Sequence, residues 1–416
     1  MIDRHVRAMC NSRLDSRRRG TGVPGVVLAL LFLALQVVPT AARGASASYY
    51  PGPDPDWARR APAKAGFDAA RLDTAIAFAR AHETHYPEAL AKVADVRDLK
   101  LKLRFDFAAE PYNEILGPTQ PRGAPTGVII RGGYIVAEWG EPSRVDMTFS
   151  VSKTFLSSVA GLAWDRGLIR NVDDPVRLYV AGPWFKSAHN AKITWNQMLR
   201  QTNEWQGTLW DKPAWADRPG EHAWSELAAP ERQPGSRWKY NDVRVNLLAL
   251  ALLEVWRRPL PQVLKENLMD PIGASPTWRW YGYRNSWVVI DGVRMQSVSG
   301  GGHWGGGMFI QTYDLARLGL LALRDGRWKK RQILSSDWIA MARTPTSVKP
   351  TYGFMNWFLN TDKAPLPSAP ATSFYFAGSG ANVVYVDPDH DLVVVVRWID
   401  RHSLDGFIAR VLAALK

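Results

Sequence analysis

Two stretches at opposite ends of the sequence carry plain strand patterning, and together they limit what the chain between them can do. Gly127-Val128-Ile129-Ile130-Arg131-Gly132-Gly133-Tyr134-Ile135-Val136-Ala137-Glu138-Trp139 reads as a hairpin closed by its Gly-Gly pair. Val383-Val384-Tyr385-Val386, the turn Asp387-Pro388-Asp389, and Leu392-Val393-Val394-Val395-Val396 read as a second hairpin. The two hairpins are expected to pair, so that the first and last strands share one antiparallel sheet. The apolar helix that begins near Ser150 and a final helix from about Leu404 are expected to pack on it. The long intervening region, 166–345, reads as mostly helical and rich in loops. The expectation is therefore an α+β fold, an antiparallel sheet flanked by helices with a mostly helical second lobe. The sheet lobe takes 126–165 and 346–416, the helical lobe 166–345. Residues 48–125 read as an N-terminal extension and a first helix, capped by Asp68 and running to His82 with Leu72, Ile76 and Phe78 on its apolar side.

Ser150-Val151-Ser152-Lys153 opens the first of those helices. Positions i and i+3 share a helix face, which sets the Lys153 amine beside the Ser150 hydroxyl. A serine needs an adjacent base or an amine of shifted pKa to act as a nucleophile. The free N–H groups and dipole at a helix start favour developing negative charge. The alternative is an N-capping serine beside a solvated lysine. A second Ser-x-x-Lys, Ser236-Arg237-Trp238-Lys239, follows Pro234-Gly235 and reads as a turn entering a loop.

Further on, Trp238-Lys239-Tyr240-Asn241-Asp242 leads into a strongly apolar helix, with Asp242 as its expected cap. Gly378-Ser379-Gly380 precedes the first strand of the C-terminal hairpin. Read together, these segments resemble the serine beta-lactamase and penicillin-binding protein superfamily. The branch is that of class C beta-lactamases, beta-lactamase-related esterases and 6-aminohexanoate-dimer hydrolases. The likeness runs from Trp57 and Ala65-Gly66-Phe67-Asp68 to the final helix. It takes in Ile193-Thr194-Trp195 through Thr202, Gly305-Gly306-Gly307-Met308, and Asp314-Leu315-Ala316-Arg317-Leu318-Gly319. The resemblance implies a beta-lactamase/transpeptidase-like fold and an acyl-enzyme on Ser150, with Lys153 its partner amine and Tyr240 the proton shuttle. The backbone N–H groups of Ser150 and Ser379 would form the oxyanion hole. No cofactor is implied.

Two departures from the family pattern shape the expected substrate. Asp242 stands where the Tyr-x-Asn motif has a neutral amide, and an anion there is expected to raise the Lys153 pKa and move the base role to Tyr240. Phe376 and Ala377 stand before Gly378-Ser379-Gly380, where beta-lactam and D-Ala-D-Ala binders have a cation that holds the substrate carboxylate. A neutral ester, amide or short oligomer is the expected substrate, closest to the 6-aminohexanoate-dimer hydrolase and esterase branch. The alternatives are a DD-peptidase or beta-lactamase, and a catalytically silent envelope protein that binds glycan or peptide.

The 416 residues have ordinary globular composition, 46% hydrophobic and 22% charged. Residues 1–47 read as a signal peptide: Arg13, Arg17, Arg18 and Arg19, an apolar run from Val26 to Val38, and an Ala45-Ser46-Ala47 cleavage site. The run falls short of the ~20 apolar residues of a bilayer span, so the mature protein is expected to be periplasmic or secreted, an uncleaved anchor being the alternative. Seven Arg against two Asp leave with that segment, and the net charge falls from +13 to about +8. The remaining charge is spread out, which points away from nucleic acid. Cys10, the only cysteine, lies in the same segment, so the mature chain has no disulfide.

Eleven of the nineteen tryptophans fall between Trp195 and Trp304, among Gly, Pro and Asp. Most are expected to be core plugs under long loops, with Trp205 or Trp210 as candidates for lining an acyl pocket. His303, flanked by Gly300-Gly301-Gly302 and Gly305-Gly306-Gly307, is the one histidine in a suggestive setting, either near ligand or buttressing the glycine turn. Asp217 is expected at the solvated surface. No histidine pair has zinc spacing, and no metal site is expected.

Overall fold

The structure is a computed structural model and describes residues 48–86, 110–219 and 232–416. The expected signal peptide and Cys10 lie outside the described residues. Among the described residues no helix is long and apolar enough to cross a membrane.

Period-2 alternation of large apolar residues builds the main sheet. Strands β1 (Thr126–Arg131) and β2 (Tyr134–Trp139) form the first hairpin, and Asn382–Asp387 and Leu392–Arg397 the last. They join in one six-stranded antiparallel sheet. Its order is Phe358–Leu359, Phe374–Gly378, Asn382–Asp387, Leu392–Arg397, β1, β2. The ends of the chain meet as Val128 opposite Val395 and Ile130 opposite Val393. Alternate residues go to opposite cores. Val128, Ile130, Val384, Val386, Val393 and Val395 enter the large inner core. Ile129, Val383, Tyr385, Val394 and Val396 enter a smaller outer one. A sheet buried on both faces needs helices on both. The outer face is covered by α1 (Ala69–Ala81), capped by Asp68 accepting from the Arg71 N–H at 3.1 Å, and by the last helix, Leu404–Ala413.

The inner face is covered by the helix Thr312–Leu323, which packs on β1 and on the Asn382–Asp387 and Leu392–Arg397 strands. This differs from the expectation that the Ser150 helix lies on the sheet. That helix, α2 (Ser152–Asp165), is buried over nearly its whole length and runs against the helices Asp242–Trp256 and Leu260–Leu264. A helix buried on every side, its small serines included, sits inside between other helices rather than on a sheet face. Only its leading turn, Phe149–Val151, abuts the end of the Phe374–Gly378 strand.

The region 166–345 holds the last two of these helices and also three of the four strands of a second antiparallel sheet. Its order is β3 (Asp146–Met147), Gly307–Ile310, Arg279–Ile290, Val293–Val298. The Arg279–Val298 hairpin turns at Asp291-Gly292, both with positive φ, the two-residue turn favoured between antiparallel strands.

Candidate active site

The Ser150 turn is held from three sides. Phe149, immediately before it, has φ +48°, a conformation unusual for a bulky side chain. The Ser152 hydroxyl, fully buried, accepts from the Met308 N–H at 2.8 Å and pins the helix start to the second sheet. Gly378 lies so close that a side chain there would run into the Thr148 carbonyl and come within 3.2 Å of the Ser150 nitrogen. Gly378-Ser379-Gly380 is thus brought against the backbone of Ser150. Gly380, with φ +72°, and Ala381, with φ +50°, then turn the chain into the next strand, and Asn382 Nδ2 donates to the Ser379 carbonyl at 2.7 Å.

Lys153, one turn on, has no exposed surface, and its Nζ donates to Ser150 Oγ at 3.0 Å and to Asp242 Oδ1 at 2.6 Å. Asp242 reaches it from the neighbouring helix. The cap of that helix is Asn241 and not Asp242: the Asn241 side chain accepts from the Arg244 N–H at 3.0 Å, so Asp242 is the first helical residue. One step along the chain separates a side chain turned back to the backbone from one directed at α2. Gly301 crosses the contact between them, where a methyl group would overlap both Asp242 Oδ1 and Lys153 Nζ.

Asp242 Oδ2 lies 2.6 Å from Arg218 Nη1, close enough for an ion pair although not aligned as a hydrogen bond. Arg218 Nη1 also meets Asp217 Oδ1 at 2.7 Å, and its Nη2 donates to His303 Nδ1 at 2.8 Å. His303 Nε2 faces Glu110 Oε2 at 2.7 Å, which makes Nε2 the protonated nitrogen of a neutral ring. Glu110 Oε1 accepts from the Arg218 N–H at 3.2 Å, and the Asp242 N–H donates to Asp217 Oδ2. Asp217, fully buried, is therefore not the surface carboxylate expected from the sequence. It is needed inside to receive a buried guanidinium and a helix N–H.

The electrostatics follow from this packing. Burial pushes the Lys153 ammonium below its ordinary range, with Arg218 adding to the push and Asp242 opposing it. The anion expected to raise this pKa is present, but complete desolvation outweighs it. Burial alone would push the Asp242 carboxyl up, yet Lys153 and Arg218 on either side hold it well below the usual carboxylate range. Tyr240 lies under both cations, its ring centroid 4.6 Å from Lys153 Nζ and 5.1 Å from Arg218 Cζ. Burial and the Asp242 charge raise its phenol pKa, against the pull of Arg218 and of its hydrogen bond with Ser150. A phenol whose pKa is raised keeps its proton at neutral pH, which weighs against the base role expected from the sequence. Desolvation pushes the His303 pKa down, and burial beside Asp217 pushes Glu110 up to about 8.

The candidates from the sequence separate into two groups. Ser150, Lys153, Tyr240, Asp242, His303, Gly378, Ser379 and Gly380 form or border one buried cluster. Trp205 is 2% exposed within the core, its indole N–H donating to the Trp184 carbonyl at 2.7 Å, and Trp210 packs against the same core beside Trp184. Ser236 lies exposed in a turn. Glu110 and Arg218 had no motif to announce them, and Tyr86 joins the cluster through a hydrogen bond with Ser379 and an edge contact with Phe149, centroids 5.4 Å apart.

Glu110, Asp217 and His303 could present three metal-ligating atoms within 4.8 Å of one another. The Arg218 guanidinium already bonds Asp217 Oδ1 and His303 Nδ1 and supplies the positive charge a cation would bring. The donor set is thus organised around an arginine, and a metal beside it would face like-charge repulsion.

A family profile described as Beta-lactamase matches residues 119–414. An Escherichia coli O157:H7 protein provisionally named a D-alanyl-D-alanine carboxypeptidase is 24% identical over 206 residues, 42% of this chain and 47% of that protein. The chain thus matches about half the length of that relative. An uncharacterised protein of Alkalihalophilus pseudofirmus is 24% identical over 320 residues, 67% of this chain and 84% of that one. Among solved structures, EstCE1, a hydrolase with promiscuous acyltransferase activity, superimposes with a TM-score of 0.51 at 17% identity, covering 70% of this chain and 92% of that one. A beta-lactamase of Mycobacterium bovis gives 0.50 at 19% identity, covering 70% and 94%. At such identities the structural likeness establishes a shared fold.

Proposed function

The chain belongs to the beta-lactamase family, whose members are generally hydrolases related to esterases, D,D-carboxypeptidases and penicillin-binding proteins, and from that premise we propose that it is an exported serine hydrolase cleaving a neutral ester or amide. The observation that carries this reading is the Lys153 amine 3.0 Å from the Ser150 hydroxyl at a fully buried position. Ser150 Oγ attacks the acyl carbon and gives its proton to the Lys153 amine, whose lowered pKa makes the neutral, proton-accepting form more accessible than in a free lysine. Asp242 stabilises the ammonium so formed. Tyr240, protonated, passes its proton to the leaving alcohol or amine and regains one from Lys153. The Ser150 and Ser379 backbone N–H groups hold the oxyanion, a contribution usually among the largest in acyl transfer. Water then takes the acyl group from Ser150, regenerating the hydroxyl, and this chemistry requires no cofactor.

Phe376, buried and 4.9 Å centroid to centroid from Trp357, occupies the strand where a carboxylate-binding cation would stand. That favours substrates without a free carboxylate. A kinetic panel tests the reading: kcat/KM for short-chain esters or linear amide oligomers should exceed that for penicillins and cephalosporins. A cephalosporin turned over well above every ester would favour a beta-lactamase or D,D-peptidase instead.

A further inference from the structure

The Asp242 carboxylate is clamped between two cations, with Lys153 Nζ 2.6 Å from Oδ1 and Arg218 Nη1 2.6 Å from Oδ2. An anion at this distance opposes the effect of burial and favours the ammonium, the form of Lys153 that cannot accept the Ser150 proton. A second cation on the far oxygen divides that pull. The guanidinium is fixed in its place by its chain neighbour Asp217 and by groups from two other segments: His303 from the glycine-rich loop, and Glu110, which binds both the Arg218 N–H and His303. The remaining titratable groups that face Lys153 are Tyr240, under both cations, and Tyr352, whose hydroxyl accepts from Gln201 Nε2 at 2.7 Å.

We propose that Arg218 is a positioning residue for acyl transfer at Ser150: by balancing Asp242 it lets a carboxylate orient the Lys153 amine without fixing its charge. The inference rests on the Ser150–Lys153 reading given above. Its content is a charge balance, so removing either partner should disturb Lys153 in opposite directions, and removing both should restore it. In Arg218→Met a like charge is lost and Asp242 acts on Lys153 alone, so the ammonium is favoured and its pKa rises. In Asp242→Asn the opposite charge is lost while Arg218 stays, so the pKa falls. In the double variant both changes cancel. An uncharged structural plug at 218 would show no such cancellation.

The test is the second-order rate of Ser150 labelling by a fluorophosphonate, followed by intact mass between pH 5 and 10, in the full chain. The acid limb of the profile should move up by about one pH unit in Arg218→Met and down in Asp242→Asn, each unit being a tenfold change in the ratio of protonated to neutral amine. In the double variant it should return to within a few tenths of wild type. Arg218→Lys, which keeps the charge, should leave the limb near wild type, and it decides the matter together with Asp242→Asn if Arg218→Met does not fold. A limb in Arg218→Met superimposable on wild type, a double variant without cancellation, or an Arg218→Lys shift as large as that of Arg218→Met would overturn the proposal. Failure of the underlying reading looks different: Ser150 would take no label at any pH.

Discussion

Asp242→Asn removes one negative charge from between Lys153 and Arg218 and leaves the shape almost unchanged. Lys153 is 0% and Asp242 1% exposed, so water cannot replace the lost partner. Two routes bound the cost. If Lys153 stays charged, a buried ion pair has been broken, which costs about 3–5 kcal/mol. If it gives up its proton, neutralising an amine of ordinary pKa at pH 7 costs at most roughly 5 kcal/mol, at about 1.4 kcal/mol per pH unit. Arg218 keeps Asp217 and adds little to either figure. Guanidinium unfolding at pH 7 should therefore show the variant less stable by about 3–5 kcal/mol. The pH dependence separates this from a packing defect. Where folded Lys153 is neutral and the unfolded chain still protonated, the unfolded state binds the extra proton, so stability rises with pH up to the ordinary lysine pKa. The window opens at a lower pH in the variant, and its deficit against wild type should narrow between pH 7 and 9.5. A deficit under about 1 kcal/mol, or one that does not change with pH, would show that Asp242 does not hold a buried charge on Lys153.

Gly301→Ala should place a methyl group on the Lys153–Asp242 contact, cost about 1–3 kcal/mol as an overpacked core substitution, and lower kcat for an ester by an order of magnitude or more. Wild-type kcat with a lower melting temperature would show that the pair moves aside without harm. Ser236→Ala, in the exposed second Ser-x-x-Lys, should leave stability within about 0.5 kcal/mol and ester turnover close to wild type. A dead but folded Ser236→Ala enzyme would reverse the choice of serine.

Local patterning made the sheet legible. Alternating valines and isoleucines, a Gly-Gly turn and an Asp-Pro turn are short-range signals, and strands 126–131, 134–139, 382–387 and 392–397 follow them. The spacing of Ser150 and Lys153 was likewise local, since residues three apart on a helix meet whatever the rest does. The position of α2 was not legible. Its apolar residues spread widely round the helix and its small Ser157 and Ser158 are buried with them, so the pattern does not say whether a sheet or other helices will cover it. The ion network was hidden for a related reason. Glu110, Arg218, Asp242 and His303 come from four distant segments, and a charged residue beside tryptophans looks the same in sequence whether it meets water or a buried partner. Asp242 shows how narrow the margin is: Asn241 and Asp242 are both good caps, and the helix entry uses the first, freeing the second for Lys153. The Lys153 pKa direction expected from the Asp242 charge also reversed, because burial depth, which no local pattern reports, outweighs one neighbouring charge.

Every step of the proposed mechanism depends on Ser150 becoming the acylated nucleophile. Intact-mass analysis after incubation with a fluorophosphonate and, separately, with an activated ester measures this directly, with peptide mapping to locate the adduct. One equivalent of label is expected on Ser150, blocked by prior acylation and absent in a folded Ser150→Ala variant. Stoichiometric label on another residue, or ester turnover undiminished in Ser150→Ala, would contradict it.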